Sequence, residues 1–145
     1  MPTYYRTDQS RIQVSYPNNP EIKLDTKSWD IMSGGDNKAS SVNYLPGGME
    51  SPVALGGPAK RQQMTVQRLW SDTLIGAFKA MDNATGRAPV NLTYTVLDKN
   101  GQPVAGSTVT DTGVLDTVSR PDYDSDSGGS PARLQIIVDL NGAIT

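Results

Sequence analysis

The chain reads as a mainly β protein, with two packed antiparallel sheets forming a sandwich or partial barrel, one flanking α-helix and a long extended loop. Three observations predict this. Apolar and polar residues alternate through Val90 to Asp98, the period-2 signature of a half-buried strand. Only Trp70 to Met81 carries apolar residues at helical spacing. Between Gly34 and Lys60 the composition turns to Gly, Pro, Ser and Asn among isolated large apolar side chains. At 145 residues the chain suits a single domain, residues 1–145, with residues 34–60 as an inter-subunit arm within it. Its apolar share of 36% lies below the globular norm, while 14 Gly and 10 Pro lie somewhat above average. A small core with many turns suits an open β structure, or a subunit that borrows stability from its neighbours. Exposed strand edges are either covered or used to join copies.

Along the chain, Arg11 to Tyr16 alternates Ile12, Val14 and Tyr16 with polar residues and predicts the first strand. Pro17-Asn18-Asn19-Pro20 ends it, since proline offers no ladder donor. Lys27 to Met32 predicts a short second strand around Trp29 and Ile31, stopped by Gly34-Gly35. In the arm, Pro46-Gly47-Gly48 and Gly56-Gly57-Pro58 sit among Val42, Tyr44, Leu45, Met49, Val53 and Leu55. A disordered linker carries fewer large apolar side chains. The stretch is therefore expected to be extended, with room for a hairpin, and to rest its apolar residues on something an isolated subunit does not supply.

Gln63 to Leu69 predicts a strand with Met64 and Val66 on one face. Ser71 is the expected helix N-cap, Asp72 complements the helix dipole, and Leu74, Ile75, Phe78 and Met81 form the expected core-facing stripe. Gly76 weakens this helix by about 1 kcal/mol relative to Ala, so tertiary packing must hold it. Asp82 to Gly86 ends it. In the next strand Val90, Leu92, Tyr94 and Val96 point one way, and Asn100-Gly101 is the strongest short hairpin signal in the chain. A return strand through Val104 to Thr110 is expected, then a second run from Thr112 to Ser119. Arg133 to Leu140 is more continuously apolar and is expected to be central.

The chemistry available is narrow. Cysteine and histidine are both missing, which removes disulfides, thiolate nucleophiles, Cys/His zinc sites and imidazole bases. No catalytic, cofactor-binding or metal-ligating residue is assigned, and no cofactor is expected. Thirteen Lys and Arg against 15 Asp and Glu give a net charge of −2, with Lys60-Arg61 the only adjacent cationic pair. Nucleic-acid capture needs clustered cations, so it is not expected. No stretch is long and apolar enough to span a bilayer, and a secretory signal is not expected, since the first residues lack its basic and apolar regions.

Asp122-Tyr123-Asp124-Ser125-Asp126-Ser127-Gly128-Gly129 has the alternating carboxylates of a calcium loop. Its glycine comes one place late, however, and Arg133 stands where a closing Glu is needed, so a solvated acidic loop is the better reading. Asp111 and Asp116 could add negative potential there. The glycine pairs lack the Lys-Ser/Thr and helix start of a phosphate loop, and Lys60-Arg61 is expected to flank a strand. Asn91-Leu92-Thr93 matches a glycosylation acceptor by a pattern common by chance.

The order of elements resembles the major tail-tube proteins of long-tailed bacteriophages, which share a fold with the tube protein of type VI secretion systems. The features that carry the resemblance are the arm from Pro46 to Pro58, the run Gln63 to Trp70, the helix to Met81, the hairpin about Asn100-Gly101, and Thr112 to Asp116 leading through the acidic loop to the closing strand. It covers most of the chain, from about Arg11 onward. The resemblance implies hexameric rings stacked as a tail tube, a conduit for DNA that passes the lumen without specific binding. It also implies a virion location after synthesis in the host bacterial cytoplasm, and partners such as tape-measure and tail-terminator proteins. The arm would reach the neighbouring ring, with Met1 to Ser10 and Asn141 to Thr145 as further candidate contacts. An acidic lumen would keep DNA from adhering, since like charge suppresses phosphate binding.

Three other readings stay open. A tail-terminator or head–tail connector of the same fold would form a single ring. A β-sandwich binding module would display clustered aromatic residues, of which two Trp and one Phe offer few. An enzyme would need paired carboxylates in a cleft, and only Asp122, Asp124 and Asp126 crowd together.

Overall fold

The computed structural model describes residues 3–6, 8–25, 27–122, 125–126 and 128–141. Strands β1 (Ser10–Ser15), β2 (Ile31–Gly34), β3 (Asn37–Tyr44), β4 (Val53–Arg61) and β5 (Met64–Leu69) precede helix α1 (Asp72–Asn83). Strands β6 (Pro89–Val96), β7 (Val109–Ser119) and β8 (Arg133–Leu140) follow it. Two antiparallel sheets result, as expected: one of six strands in the order β1-β6-β7-β8-β5-β2, the other the pair β3-β4. The continuously apolar β8 lies in the interior of the six-stranded order, where both edges are paired.

The large sheet curls into a half-barrel, so that the segment leading into β2 reaches back to β1. Trp29 donates its N–H to the Ile12 carbonyl at 2.9 Å, and Ile12 donates to Ser28 Oγ at 3.0 Å. One residue later Asp30 donates to the Gln67 carbonyl, so the strand entering β2 leaves β1 and joins β5. One face of the curl gathers Ile12, Val14, Met64, Val66, Val90, Leu92, Leu115, Leu134, Ile136 and Val138 into a single core. This is the alternation read from the sequence, since successive side chains take opposite faces.

Helix α1 packs on that core, but not by the expected stripe. Leu74, Ala77 and Met81 are buried, Phe78 is partly buried, and Ile75 is 53% exposed. Ile75 sits one residue around from Leu74, about 100° away, and the curled sheet accepts a narrow ridge only. Phe78 meets Trp70 edge-on at 5.8 Å, and Tyr16 donates its hydroxyl to Met81 Sδ at 3.3 Å. Burial pushes the Tyr16 phenol well above its ordinary pKa. Ser71 occupies the N-cap with extended backbone, yet its hydroxyl makes no capping bond and is buried without a partner. Asp72 alone supplies the expected first-turn charge.

The expected return strand through Val104 is replaced by a loop. Asp98 Oδ1 accepts the N–H groups of Asn100 and Gln102, Gly101 takes φ +78°, and the ladder touches only at Leu97 and Pro103. Val104 still donates to the Val96 carbonyl at 2.9 Å, but Ser107 Oγ takes the Val96 N–H at 3.3 Å and donates to the Val104 carbonyl at 2.7 Å. A side chain thus stands where the ladder would continue, and the chain turns away at Gly106, φ +76°. Pairing resumes at Val109, opposite Tyr94, and runs unbroken to Ser119, so the two expected runs are one strand. A bulge at Asp116 shifts its register against β8. Leu115 faces the core before the bulge and Val118 after it.

Candidate assembly surface

The β3-β4 hairpin is an outgrowth of the β2-β5 pair. Beyond Gly34, opposite Met64, Gly35 donates to the Gln63 carbonyl at 3.0 Å and Gln62 donates to the Asp36 carbonyl at 2.8 Å. Asn37 then pairs with Arg61. The ribbon turns a corner at Gly34 and Gly35, with φ of +86° and +76°. A β-carbon at Gly34 would collide with the Gln63 carbonyl oxygen, so only glycine fits there. Arg61 Nη1 donates to the Gly35 carbonyl at 2.9 Å and braces the corner.

Beyond the corner the arm leaves the body. At the ~3.3 Å rise of a strand, the eight residues of β3 carry it about 26 Å. A bulge between Ala39 and Ser41 lies opposite Gly57 and Pro58, and a proline is tolerated there because the ribbon has two free edges. Thus Gly56-Gly57-Pro58 and Lys60-Arg61 lie within β4, not beside it. Past the bulge Val42 pairs with Leu55 and Tyr44 with Val53. These positions are two apart on each strand, so the four side chains share one face. They are 69%, 51%, 57% and 48% exposed. Leu45 and Met49 extend the apolar surface to the tip, which Gly48 turns at φ +76°. The opposite face presents Asn43 and Ala54.

A second site sits within the body. Arg68 follows Met64 and Val66 on the core face of β5, and that parity was the available signal that its guanidinium turns inward. It is buried, meets Asp25 at 2.6 Å, and lies 5.9 Å over the Trp29 ring. Desolvation raises the Asp25 pKa, but hydrogen bonds from Arg68 and the Lys27 N–H, with both positive charges, outweigh it and hold the carboxyl below its usual range. Sequence reasoning did not pair these two residues.

The sheet face turned away from the core is nearly neutral. Gln13, Thr93, Thr112 and Gln135 typify it, with Arg11 and Arg133 set against Asp116 and Asp139. Asp111 instead lies buried on the core side, with one oxygen without a partner. In that loop Asp122 and Asp126 are exposed, while Tyr123, Asp124 and Ser127 lie outside the described residues, as do Met1, Pro2, Thr7 and residues 142–145. Among the described residues no three acidic side chains converge on a point that could hold a metal. Asn91-Leu92-Thr93 lies in β6, paired on both sides by β1 and β7. No helix among the described residues is long and apolar enough to cross a membrane.

No protein-family model and no curated protein matches the chain. Solved structures do. A chain of the anti-feeding prophage baseplate superposes with a TM-score of 0.74 at 14% identity, over 100% of this chain and 96% of that one. A chain of the sheath/tube terminator of PVC, an extracellular contractile injection system, gives 0.71 at 12%, over 99% and 96%. A chain of the anti-feeding prophage tube-terminating cap gives 0.66 at 13%, over 100% and 91%. The fold is one shared with chains of tube-bearing injection particles. At such identities the likeness speaks for architecture alone, over nearly the full length of each matched chain.

Proposed function

We propose that this chain is a non-catalytic structural subunit of a tail-like tube, in which six copies close into a ring and rings stack around a bore. One observation carries the reading: a two-stranded hairpin projects from a body that already has its core, with an apolar face turned to solvent. Exposed patches of this kind mark interaction sites. Full-length fold matches to chains of a baseplate, a cap and a terminator support a place in such a particle. Heterologous contact between copies closes rings when the rotation permits, and stacking repeats it along an axis. The nearly neutral sheet face lines the bore, so the acidic wall that the resemblance implies is not required. With no cluster of cations there, DNA passes without being held. Tape-measure and terminator proteins meet the tube ends, and the assembled protein resides in a virion or similar particle.

A second reading, a terminator or cap that forms one ring, is favoured by the matches to a cap and a terminator. Negative-stain imaging of the purified protein decides. Long tubes support the tube subunit, isolated rings the terminator, and monomers at high concentration overturn both.

A further inference from the structure

The most exposed large apolar side chain among the described residues is Met49, at the tip of the arm, 102% open to solvent. Its backbone takes φ +63°, directly after Gly48 at +76°, and it is the one non-glycine among the described residues with positive φ. A bulky side chain is an outlier in that region, and such outliers cluster where a chain does more than fold. The other methionines are sheltered. Met64 and Met81 are buried, Met81 with its sulfur accepting the Tyr16 hydroxyl, and Met32 packs against the same core. Met1 lies outside the described residues. An oxidant must touch a thioether sulfur to react with it, so one in solution meets Met49 first.

Resting on the tube reading above, we infer that Met49 is a reversible oxidation site at which a hydroperoxide switches assembly off. The sulfur lone pair attacks one oxygen of the hydroperoxide, and an S–O bond forms as the O–O bond breaks. Sulfur gives up two electrons. The departing oxygen takes the proton of the transferred one and leaves as water or an alcohol. The sulfoxide is polar and chiral where the thioether was apolar. It sets a strong acceptor at the end of a surface that runs through Tyr44, Leu45 and Val53. Enclosing that acceptor without a donor opposes the gain from apolar contact, so the oxidised tip resists being covered. The body is untouched, because the sulfur atoms within it are shielded by the core. Reductases for sulfoxides return the side chain to its first state.

The chain has no cysteine, so dilute hydrogen peroxide acts on its thioethers without competing thiols. Treated subunits are digested and read by mass spectrometry for added oxygen, then returned to assembly conditions. Met49 should gain oxygen about tenfold faster or more than Met32, Met64 and Met81, with circular dichroism unchanged. Tubes on grids should fall about tenfold and return after treatment with the two methionine sulfoxide reductases, one for each epimer. Met49→Leu should assemble with or without peroxide. The reductase rescue uses the natural chain and decides the matter even where that variant assembles poorly. Equal oxidation of all the methionines, or oxidised subunits that build tubes as readily as untreated ones, overturns the switch and leaves the tube reading standing. Loss of assembly by peroxide-treated Met49→Leu places the damage elsewhere and also overturns it. Wild-type protein that never assembles overturns both.

Discussion

Asp25 and Arg68, separated by 43 residues, close at 2.6 Å and tie the connection between β1 and β2 to the core face of β5. The guanidinium is buried over Trp29 and has one nitrogen with no partner, while the carboxylate keeps partial contact with water. Removing the acid strands the buried cation. Asp25→Ala is therefore expected to cost about 2–3 kcal/mol, at or below the low end for breaking a buried pair because the acid is partly exposed. Urea denaturation measures it, and a loss under 0.5 kcal/mol would contradict the role assigned to the pair.

The same carboxyl gives a pH dependence of definite sign. Its folded pKa lies below the unfolded value near 4, so its stabilisation is complete above that value and drains away as pH falls through the folded pKa. Denaturation midpoints should drop more steeply below about pH 4 in the wild type than in Asp25→Asn. Parallel acid limbs for the two proteins would reject this.

Gly113 faces the core of β7 where the backbone of β8 passes closest. A β-carbon there would collide with the carbonyl oxygen of Asp139. Gly113→Ala must push two central strands apart, and a loss of about 2 kcal/mol or more is expected from overpacking at a site without give. Thermal unfolding tests it; an unchanged midpoint would show that the strands part freely.

Two neighbours on α1 should differ sharply. Leu74→Ala opens a cavity in the core and is expected to cost about 2–5 kcal/mol. Ile75→Ser lies on the exposed side and should cost about 0.5 kcal/mol or less. Equal losses would mean that the helix presents the broader stripe its sequence suggests.

The arm can be shortened without harming the body. Ser41 and Gly56 are cross-strand partners, so replacing Val42 to Leu55 with Asn-Gly closes the hairpin with a two-residue turn. The product should match the wild type in circular dichroism and denaturation midpoint, because the removed residues are exposed. It should form no long assemblies on grids. Tubes of ordinary length from this variant would refute the role of the arm.

Much of this was legible from local pattern. Period-2 alternation located the strand cores of β1, β5 and β6, because burial on one face leaves its mark at every second residue, and β8 stood out by its continuous apolar run. The arm announced itself by composition. The break at Pro103 was less visible, since the Asn-Gly signal marks where a chain can turn but not where the ladder resumes.

What sequence alone determined, then, is the order of the elements, the face most strands bury, and the poverty of catalytic groups; these follow from side-chain period and residue type. Tertiary structure alone decided the narrow helix ridge that leaves Ile75 in solvent, the Asp25–Arg68 tie, and the pairing that gathers Val42, Tyr44, Val53 and Leu55 on one face of a projecting ribbon. Each of these depends on which distant residues meet, and register between strands is settled by the packing of the whole sheet, not by either strand alone.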